Sequence, residues 1–315
     1  MPRETQWRMA KVAKLYYEEG LTQEAIANRL HFSRSTVSRL LDGAKKHGLV
    51  EIKIHFPWQR VEELEERICQ KYGLKSARVL KRMHNCSYDE LLEGLGVLGA
   101  QYLQSILRPN IVIAISSGVA VYQTVRSLES QKLNATVVQV MGVVGCDNPL
   151  IDGPELAQLL VSRLSGRYIY MQAPLVIKNP QLHKQLLQEP PIQEVLSYVK
   201  NAEIALVGVG TVNPINSSLL RNGVSPEALN QLTTIGAVGE TCGQPFDRFG
   251  RQIVSAWSEQ IISIDLKHLT PIPTVVGVAG GMAKADASRG AVTGHLLDVL
   301  VTDQQVAEKL LEQNI

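Results

Sequence analysis

Cysteine and long apolar runs are scarce in this chain, and their scarcity excludes several classes of protein. Four of the 315 residues are cysteine, and none stands in a C-x-x-C spacing or near a histidine as in a zinc site. Scattered thiols in a chain of this length fit a reducing compartment better than a disulfide framework. No apolar run reaches the ~18 residues that a membrane-spanning helix needs, and residues 1–4 begin no signal peptide. We therefore expect a cytoplasmic protein without a metal site or membrane contact.

The short motifs of several enzyme classes are also missing. Gly208-x-Gly210 lacks the third glycine of the dinucleotide fingerprint, and the sequence contains no P-loop and no G-x-S-x-G elbow. Internal repeats and low-complexity tracts are absent as well. The sequence therefore predicts no catalytic residue and no cofactor.

Positive charge is concentrated at the beginning of the chain. The net charge of +2 divides into +5 over residues 1–60 and −3 over the remainder. A basic head on a mildly acidic body suits a module that binds a polyanion and is attached to a second domain. An excess of lysine that only keeps a domain soluble is the alternative. The length also favours two domains, which we place at residues 1–57 and 58–315.

Three helices and a wing are predicted in the head. Apolar residues at helical spacing indicate helices over 7–19, 23–30 and 34–47. Thr22 and Ser33 can cap the second and third helices, which are separated by the turn at 31–33. Residues 49–56 alternate between apolar and polar, as in a strand or a two-stranded wing.

This order of helices is typical of a helix-turn-helix. The third helix would present arginine, serine and threonine near its beginning, where a recognition helix meets base edges in the major groove. Lysines near its end, and Lys53 after it, suit phosphate contacts. A three-helix module that binds protein instead of DNA is the alternative. The residues predicted to contact DNA are Thr22, Gln23, Ser33, Arg34, Ser35, Thr36, Ser38, Arg39, Lys45 and Lys46.

The body alternates between apolar strands and helices. An amphipathic helix is predicted over 58–72, packed on its own domain or, less favoured, at a dimer contact. Short strands that are almost wholly apolar, separated by helices, indicate a mostly parallel sheet covered on both faces. The predicted strands are 77–80, 111–115, 135–140, 168–171, 204–209, 234–238, 274–278 and 299–301; the predicted helices are 91–107, 119–129, 154–164, 192–200 and 283–297.

Five glycine-containing segments follow predicted strands: 116–118, 142–145, 208–211, 236–240 and 280–281. Each by itself is an ordinary turn at the end of a strand. The carboxyl ends of parallel strands lie at one edge of a sheet, where ligands bind. The five segments together therefore predict a ligand site at that edge.

Two sets of motifs resemble a known family. "LTQEAIANRL", "SRSTVSRLL" and "HGLVEI" are similar to the winged helix-turn-helix of the SorC/DeoR-type sugar-responsive regulators, although His31 replaces the glycine common in the turn. "GAVGETCGQPFDRFGR" and "VAGGMAKADASRGAVTGHLLDVLVTD" resemble blocks of the SorC sugar-binding domain. The resemblance implies a domain like the ribose-phosphate isomerases and glucosamine-phosphate deaminases, a phosphorylated sugar or sugar derivative as ligand, and dimers or tetramers.

The resemblance also implies a ligand-binding set. Glu240 would accept hydrogen bonds from sugar hydroxyls, and Lys284 would meet a phosphate or a sugar oxygen; a loop cap and a solvated first-turn residue are the alternatives. The family's first loop often reads Ser-Trp-Gly-Thr-Thr, whereas this chain has Val119 and Ala120 after the glycine, and Met141 replaces a residue that is polar in several relatives. These differences leave an unphosphorylated ligand open. The full set is Ser116, Ser117, Gly118, Gly208, Gly210, Thr211, Glu240, Asp247 and Lys284.

We therefore expect a regulator of a carbohydrate-related operon that binds duplex DNA under the control of a sugar, polyol or sugar phosphate, and that is not an enzyme. Two alternatives remain at this point. One is a sugar-phosphate isomerase or deaminase with an accessory head, in which Glu240 would be the general base although no histidine lies in its segment. The other is a structural adaptor.

Overall fold

The computed structural model describes residues 3–50, 56–145, 148–219 and 224–312. The chain divides into two compact units, Met1–Pro57 and Trp58–Ile315. Within the described ranges, no helix is both long and apolar enough to cross a membrane. The three cysteines in these ranges, Cys69, Cys86 and Cys242, are free thiols.

The head contains three helices, α1 (Arg3–Tyr17), α2 (Gln23–Leu30) and α3 (Arg34–Lys46). Val12, Ile26 and Val37, one from each helix, are fully buried at its centre. The predicted helices are confirmed, but α1 begins and ends earlier than expected. Ala27 and Leu41 are also buried in this core, and the neighbouring Ala25 and Leu40 are half-buried. The predicted wing falls largely on residues 51–55, which lie outside the described residues.

The turn between α2 and α3 is closed by side chains at both helix starts. The Thr22 hydroxyl accepts from the Ala25 N–H, and the Ser33 hydroxyl accepts from the Thr36 N–H. His31 adopts φ 54° and ψ 42°, the left-handed conformation that glycine reaches without strain, and its N–H donates to the Ala27 carbonyl. The turn thus has helix-turn-helix geometry although His31 stands in the place of the usual glycine.

The sensor unit is built on seven parallel strands in the order β1-β10-β9-β5-β2-β3-β4. Apolar cores on both faces explain why these strands are almost wholly apolar, as the sequence indicated. The strand at 168–171 was predicted two residues too late. The seven strands are β1 (Ser76–Leu80), β2 (Val112–Ile115), β3 (Ala135–Gln139), β4 (Gly166–Ile169), β5 (Ile204–Gly208), β9 (Thr274–Val278) and β10 (Val299–Asp303).

Helices connect the strands and cover the sheet. Predicted bounds differ from the observed ones by a few residues, most at α12, where Gly294 and His295 end the helix early; His295 has a φ of 52°. The helices of the sensor unit are α4 (Glu62–Tyr72), α5 (Tyr88–Ile106), α6 (Val119–Ser127), α7 (Gly153–Leu164), α8 (Pro180–Leu186), α9 (Pro190–Val199), α10 (Pro226–Thr234), α11 (Leu266–Leu269), α12 (Ala285–Thr293) and α13 (Gln304–Leu311).

The predicted strand at 234–238 is wrong. Thr234 ends α10, and the chain turns at Gly236 into β7 (Ala237–Thr241), the middle strand of a separate antiparallel sheet with β6 (Gly210–Thr211) and β8 (Gln244–Asp247). Cys242 and Gly243, with φ of 53° and 76°, form the two-residue turn between β7 and β8. Two successive positive φ angles match the twist of a tight hairpin.

The helix predicted over 58–72 begins only at Glu62. Leu64 and Ile68 on α4 are buried in the core of the sensor unit, as favoured from the sequence. Residues 58–60, which we term the strap, are instead extended along the end of β1. Arg60 forms an antiparallel bridge with Leu80, and the Lys81 N–H donates to the Gln59 carbonyl over 2.8 Å.

Glycines allow α5 and α6 to approach closely. A Cβ atom on Gly96 would lie 2.6 Å from the backbone of Gln123, and one on Gly99 would lie 2.9 Å from the Thr124 hydroxyl. Distances this short leave no space for a side chain at either glycine. The two helices therefore pack backbone against backbone as one pair.

Candidate functional site

A cavity of about 230 Å³ opens at the carboxyl ends of β2, β3, β5 and β9, beside the small antiparallel sheet. Its volume is below the ~300–1,000 Å³ typical of drug-sized ligands, so it suits a small molecule. Most of the predicted ligand-binding residues line it: Ser116, Ser117, Gly118, Gly208, Gly210, Glu240 and Lys284.

Glu240 is the buried acid of this cavity, with only 8% of its surface exposed. Its Oε2 accepts from the Gly243 N–H over 3.0 Å, so the predicted loop-cap contact is present as well. Burial raises the pKa of Glu240 to about 7, although the Gly243 N–H and the charge of Lys284 both favour the carboxylate. At neutral pH the empty cavity therefore holds this carboxyl partly protonated and partly ionised.

Gly210 provides the space that the Glu240 side chain occupies. The two residues are paired across β6 and β7, and a Cβ atom at position 210 would lie 2.0 Å from Oε1 of Glu240. The neighbouring turn is held from outside: Ser263 donates to the Cys242 carbonyl over 2.6 Å, and the indole of Trp257 donates to the Gly243 carbonyl over 3.3 Å. The carboxyl is thus fixed by the hairpin rather than by the large sheet.

Lys284 also lines the cavity, and it lies in the 3-10 turn Met282–Lys284 that leads into α12. It is half-buried, and its charge acts on Glu240, but the two side chains are not within ion-pair distance. The space between a cation and a carboxyl that do not touch can be filled by a polar ligand that contacts both.

The loop after β2 contributes polar groups of two kinds. Ser116 is buried, lines the cavity and accepts from the Gly208 N–H over 3.2 Å, so it also joins two loops. The Ser117 hydroxyl donates to the sulfur of Met141 over 3.2 Å, a weak acceptor that a ligand oxygen can replace. Gly118 caps α6 with a φ of 135° and offers no side chain.

Two predicted ligand residues, Thr211 and Asp247, do not line the cavity. The Thr211 hydroxyl is buried and accepts from the Asn213 N–H. One carboxylate oxygen of Asp247 accepts from the N–H groups of Phe249 and Arg251, so it closes the turn after β8. Both side chains are instead engaged by backbone N–H groups of the loops that follow β6 and β8.

Tyr88 and Asp89, which the sequence analysis missed, lie at the edge of the cavity. They stand in the first turn of α5, where the Ser87 hydroxyl accepts from the Glu90 N–H and the Glu90 carboxylate accepts from the Ser87 N–H. This capping box is a recognisable sequence signal. A helix start placed at Leu91 instead excluded both residues.

In the head, α3 carries a polar face. Arg34, Ser35 and Arg39 are exposed, and Thr36 and Ser38 are half-buried. The hydroxyls of Ser33, Ser35 and Thr36 bond to one another over 2.8–2.9 Å, which leaves the two arginines as the extended donors of this face. Lys45 and Lys46 are exposed in the last turn, with the Lys45 ammonium 5.9 Å from the centre of the Tyr17 ring.

Thr22 and Gln23, the predicted contacts on α2, lie where that helix begins. Thr22 is exposed and committed to its cap, and Gln23 is half-buried. They share a shallow surface depression with Tyr16, Glu24 and Arg34.

Residues 57–312 match the family model Sugar-bind, a sugar-binding domain, and residues 15–55 match a model of the MarR family. The chain belongs to the SorC family of sugar-binding transcriptional regulators. It is 30% identical over 312 residues to a deoxyribonucleoside regulator of Bacillus subtilis, with 99% of each chain covered, and 29% identical to a sorbitol operon regulator of Klebsiella pneumoniae, with 96% and 97% covered.

The solved structures agree with this assignment. The full-length sorbitol operon regulator SorC of Klebsiella pneumoniae superposes with a TM-score of 0.76 at 29% identity, over 96% of this chain and 98% of that one. These SorC relatives and neighbours are transcriptional regulators, so the isomerase or deaminase alternative is set aside. The chain is a DNA-binding regulator with a helix-turn-helix head and a sugar-binding α/β domain.

Glu240→Gln should raise stability most at high pH. The unfolded chain releases this proton near pH 4.5, whereas the folded, ligand-free regulator retains it to about pH 7, so wild type loses stability as the pH rises between these values. The stability gap between variant and wild type should widen by about 2 kcal/mol from pH 5 to pH 8. Urea unfolding measures this stability gap by tryptophan fluorescence, in a background where the exposed Trp7 is replaced by Phe. Glu194→Gln, which changes an exposed carboxylate, is the control. A gap that stays constant with pH would contradict the buried carboxyl.

Arg34→Ala and Arg39→Ala should each weaken specific DNA binding by ~1–3 kcal/mol, the range for a bidentate contact to a base. The reason is the exposed position of both side chains early in α3. Fluorescence anisotropy at fixed salt, with a duplex selected by the wild type from a random pool, measures the loss. Arg8→Ala, which removes an exposed charge from α1, is the control. Wild-type affinity in both variants would refute the assignment.

Proposed function

We propose that this SorC-family member is a cytoplasmic regulator whose operator affinity is set by a small polyhydroxy ligand in the cavity between Glu240 and Lys284. The ligand is a sugar, a polyol or one of their phosphate esters. Operator contacts are assigned to the polar face of α3 and to the beginning of α2. The boundary between the DNA-binding and effector-binding domains is assigned to the junction of Pro57 and Trp58.

The observation that carries this proposal is the unsatisfied carboxyl of Glu240. Oε2 has one backbone donor, whereas none of the described residues donates to Oε1. Oε1 is not among the fully buried polar atoms without a partner, so it is accessible from the cavity. A ligand hydroxyl that donates to Oε1 would form a charge-assisted hydrogen bond, and sugars and polyols carry such hydroxyls.

The charge of the cavity favours hydroxyl-rich ligands over strongly anionic ones. Among the described residues that line it, Lys284 is the one cation, and Asp89 and Glu240 are acids. Val119 and Ala120 at the start of α6 supply no hydroxyl for a phosphate, and Met141 adds apolar surface. These features favour an unphosphorylated ligand. Two relatives are named as a deoxyribonucleoside regulator and a sorbitol operon regulator, and both names refer to polyhydroxy compounds.

A thermal-shift screen tests the proposed effector. The compounds are D-sorbitol, D-ribose and 2-deoxy-D-ribose, each with its terminal phosphate ester. A bound compound raises the melting temperature by an amount that grows with the logarithm of its concentration over Kd. We expect a free polyol or sugar to stabilise the wild type more than its ester does. A larger shift for every ester would favour a phosphate subsite, and no shift for any compound would refute this ligand class.

Lys284→Ala should abolish the response to the compound that the screen identifies, while ligand-free DNA binding stays near the wild-type value. The reason is that Lys284 lies in the cavity and outside the helix-turn-helix. Anisotropy titrations with and without the compound measure the response, with the exposed Lys267→Ala as control. If Lys284→Ala and Glu240→Ala both respond as wild type does, the effector binds elsewhere.

A dimer or tetramer is the expected assembly. One helix-turn-helix buries too little surface for tight, selective binding, and symmetric assemblies place two heads on two half-sites. Light scattering at micromolar concentration, with and without the selected duplex, measures the mass. A monomer under both conditions would contradict this part of the proposal.

A further inference from the structure

The strap, residues 58–60, is bound firmly to the sensor unit. Besides the backbone bonds to the end of β1, the Arg60 guanidinium forms two hydrogen bonds with the buried carboxylate of Glu65. The Val79 N–H also donates to the Glu65 carboxylate, over 2.8 Å. The strap begins directly after Pro57, the last residue of the head.

The Trp58 ring, at the beginning of the strap, lies against α5. A Cβ atom on Gly94 would be 3.0 Å from the ring carbon Cε3 of Trp58 and 2.6 Å from the Leu80 side chain. A methyl group at this position would therefore press on the indole and on the end of the Leu80 side chain. A movement of α5 at this level would press directly on Trp58 or withdraw its support.

Tyr88, in the first turn of α5, separates two cavities. One is the effector cavity; the other, of about 330 Å³, lies at the ends of β1 and β10 and is lined by Trp58, Leu80 and Leu91 among others. The ring of Tyr88 lies against Gly281, where a Cβ atom would be 3.1 Å away, and its hydroxyl is 3.5 Å from the Gly280 carbonyl. Tyr88 therefore lines both the effector cavity and the cavity that Trp58 of the strap lines.

We propose that the beginning of α5, through Tyr88, transmits occupancy of the effector cavity to Trp58 and thereby to the head. The inference rests on the proposed function of that cavity. Trp58 and Tyr88 are positioning residues in this route. Trp58 does not line the effector cavity, whereas Tyr88 lines both that cavity and the one that Trp58 lines.

Helix packing supports this route. α5 and α6 form a close pair through Gly96 and Gly99, and both begin at the effector cavity, α5 with Tyr88 and α6 after Gly118. A ligand that contacts the two helix starts therefore acts on one packed body. Packed elements shift between discrete arrangements instead of deforming continuously.

The test compares DNA response with effector binding in Trp58→Ala. The probe is whichever of D-sorbitol, D-ribose, 2-deoxy-D-ribose or their terminal phosphates gives the largest thermal shift. In wild type, a saturating probe should change the Kd for the selected duplex by at least about fivefold. In Trp58→Ala, calorimetry should give a probe Kd within about twofold of wild type, whereas the change in duplex affinity should fall below about twofold.

Reciprocity supplies a second readout that a merely structural role would not move. Because coupling between two ligands is symmetric, the duplex must change the probe Kd of wild type by the same factor, and must leave that of Trp58→Ala unchanged. The control is Tyr168→Ala, which removes an aromatic side chain that is 39% exposed from the edge strand β4. This variant should keep the full response.

The outcomes separate the two proposals. If Trp58→Ala binds the probe and its duplex affinity still responds as in wild type, the route through α5 is refuted and the effector site stands. If Trp58→Ala does not fold, Tyr88→Ala at saturating probe decides by the same ratio: a lost response supports the route, and a retained one refutes it. If no probe binds wild type, the proposed effector site fails and the inference fails with it.

Discussion

The position of one buried carboxyl constrains the whole effector site. Glu240 is removed from water with a single backbone donor, so its surroundings must hold it in place without neutralising it. Gly210 gives it space, the Cys242–Gly243 turn gives it an N–H, and Lys284 gives it a cation at a distance. A residue pair in direct contact would satisfy the carboxyl and leave nothing for a ligand to do. On the proposed function, the ligand completes the polar contacts that the protein itself leaves open.

Local chemistry explains what could be predicted from the sequence. Thr22 and Ser33 were recognisable as caps because capping depends on residues three positions apart, and α2 begins where they place it. The strands of the large sheet were recognisable because burial on both faces demands apolar residues throughout. His31 departs from the usual glycine, yet its left-handed conformation preserves the turn. In each case the deciding interaction lies within a few residues along the chain.

The rest of the site depends on pairings that no short segment reveals. β7 has the apolar, glycine-flanked composition of a parallel strand, but it pairs antiparallel with β6 and β8 around a Cys-Gly turn that lacks the common Asn-Gly signature. That pairing places Glu240 opposite Gly210 and turns Asp247 toward the next loop. Tyr88 reaches the cavity only because α5 crosses the ends of strands far away in sequence. Tertiary contacts therefore decided the residues that were missed or misplaced.

The fit between Gly210 and Glu240 also bears on how regulators of this kind diversify. Position 210 admits no side chain while an acid occupies position 240. Val119 and Ala120 line the same cavity without such a constraint, whereas the Met141 sulfur accepts from Ser117. On the proposed function, related regulators that respond to another ligand would therefore vary first at positions 119 and 120, while the glycine at position 210 stays as long as the acid at position 240 does.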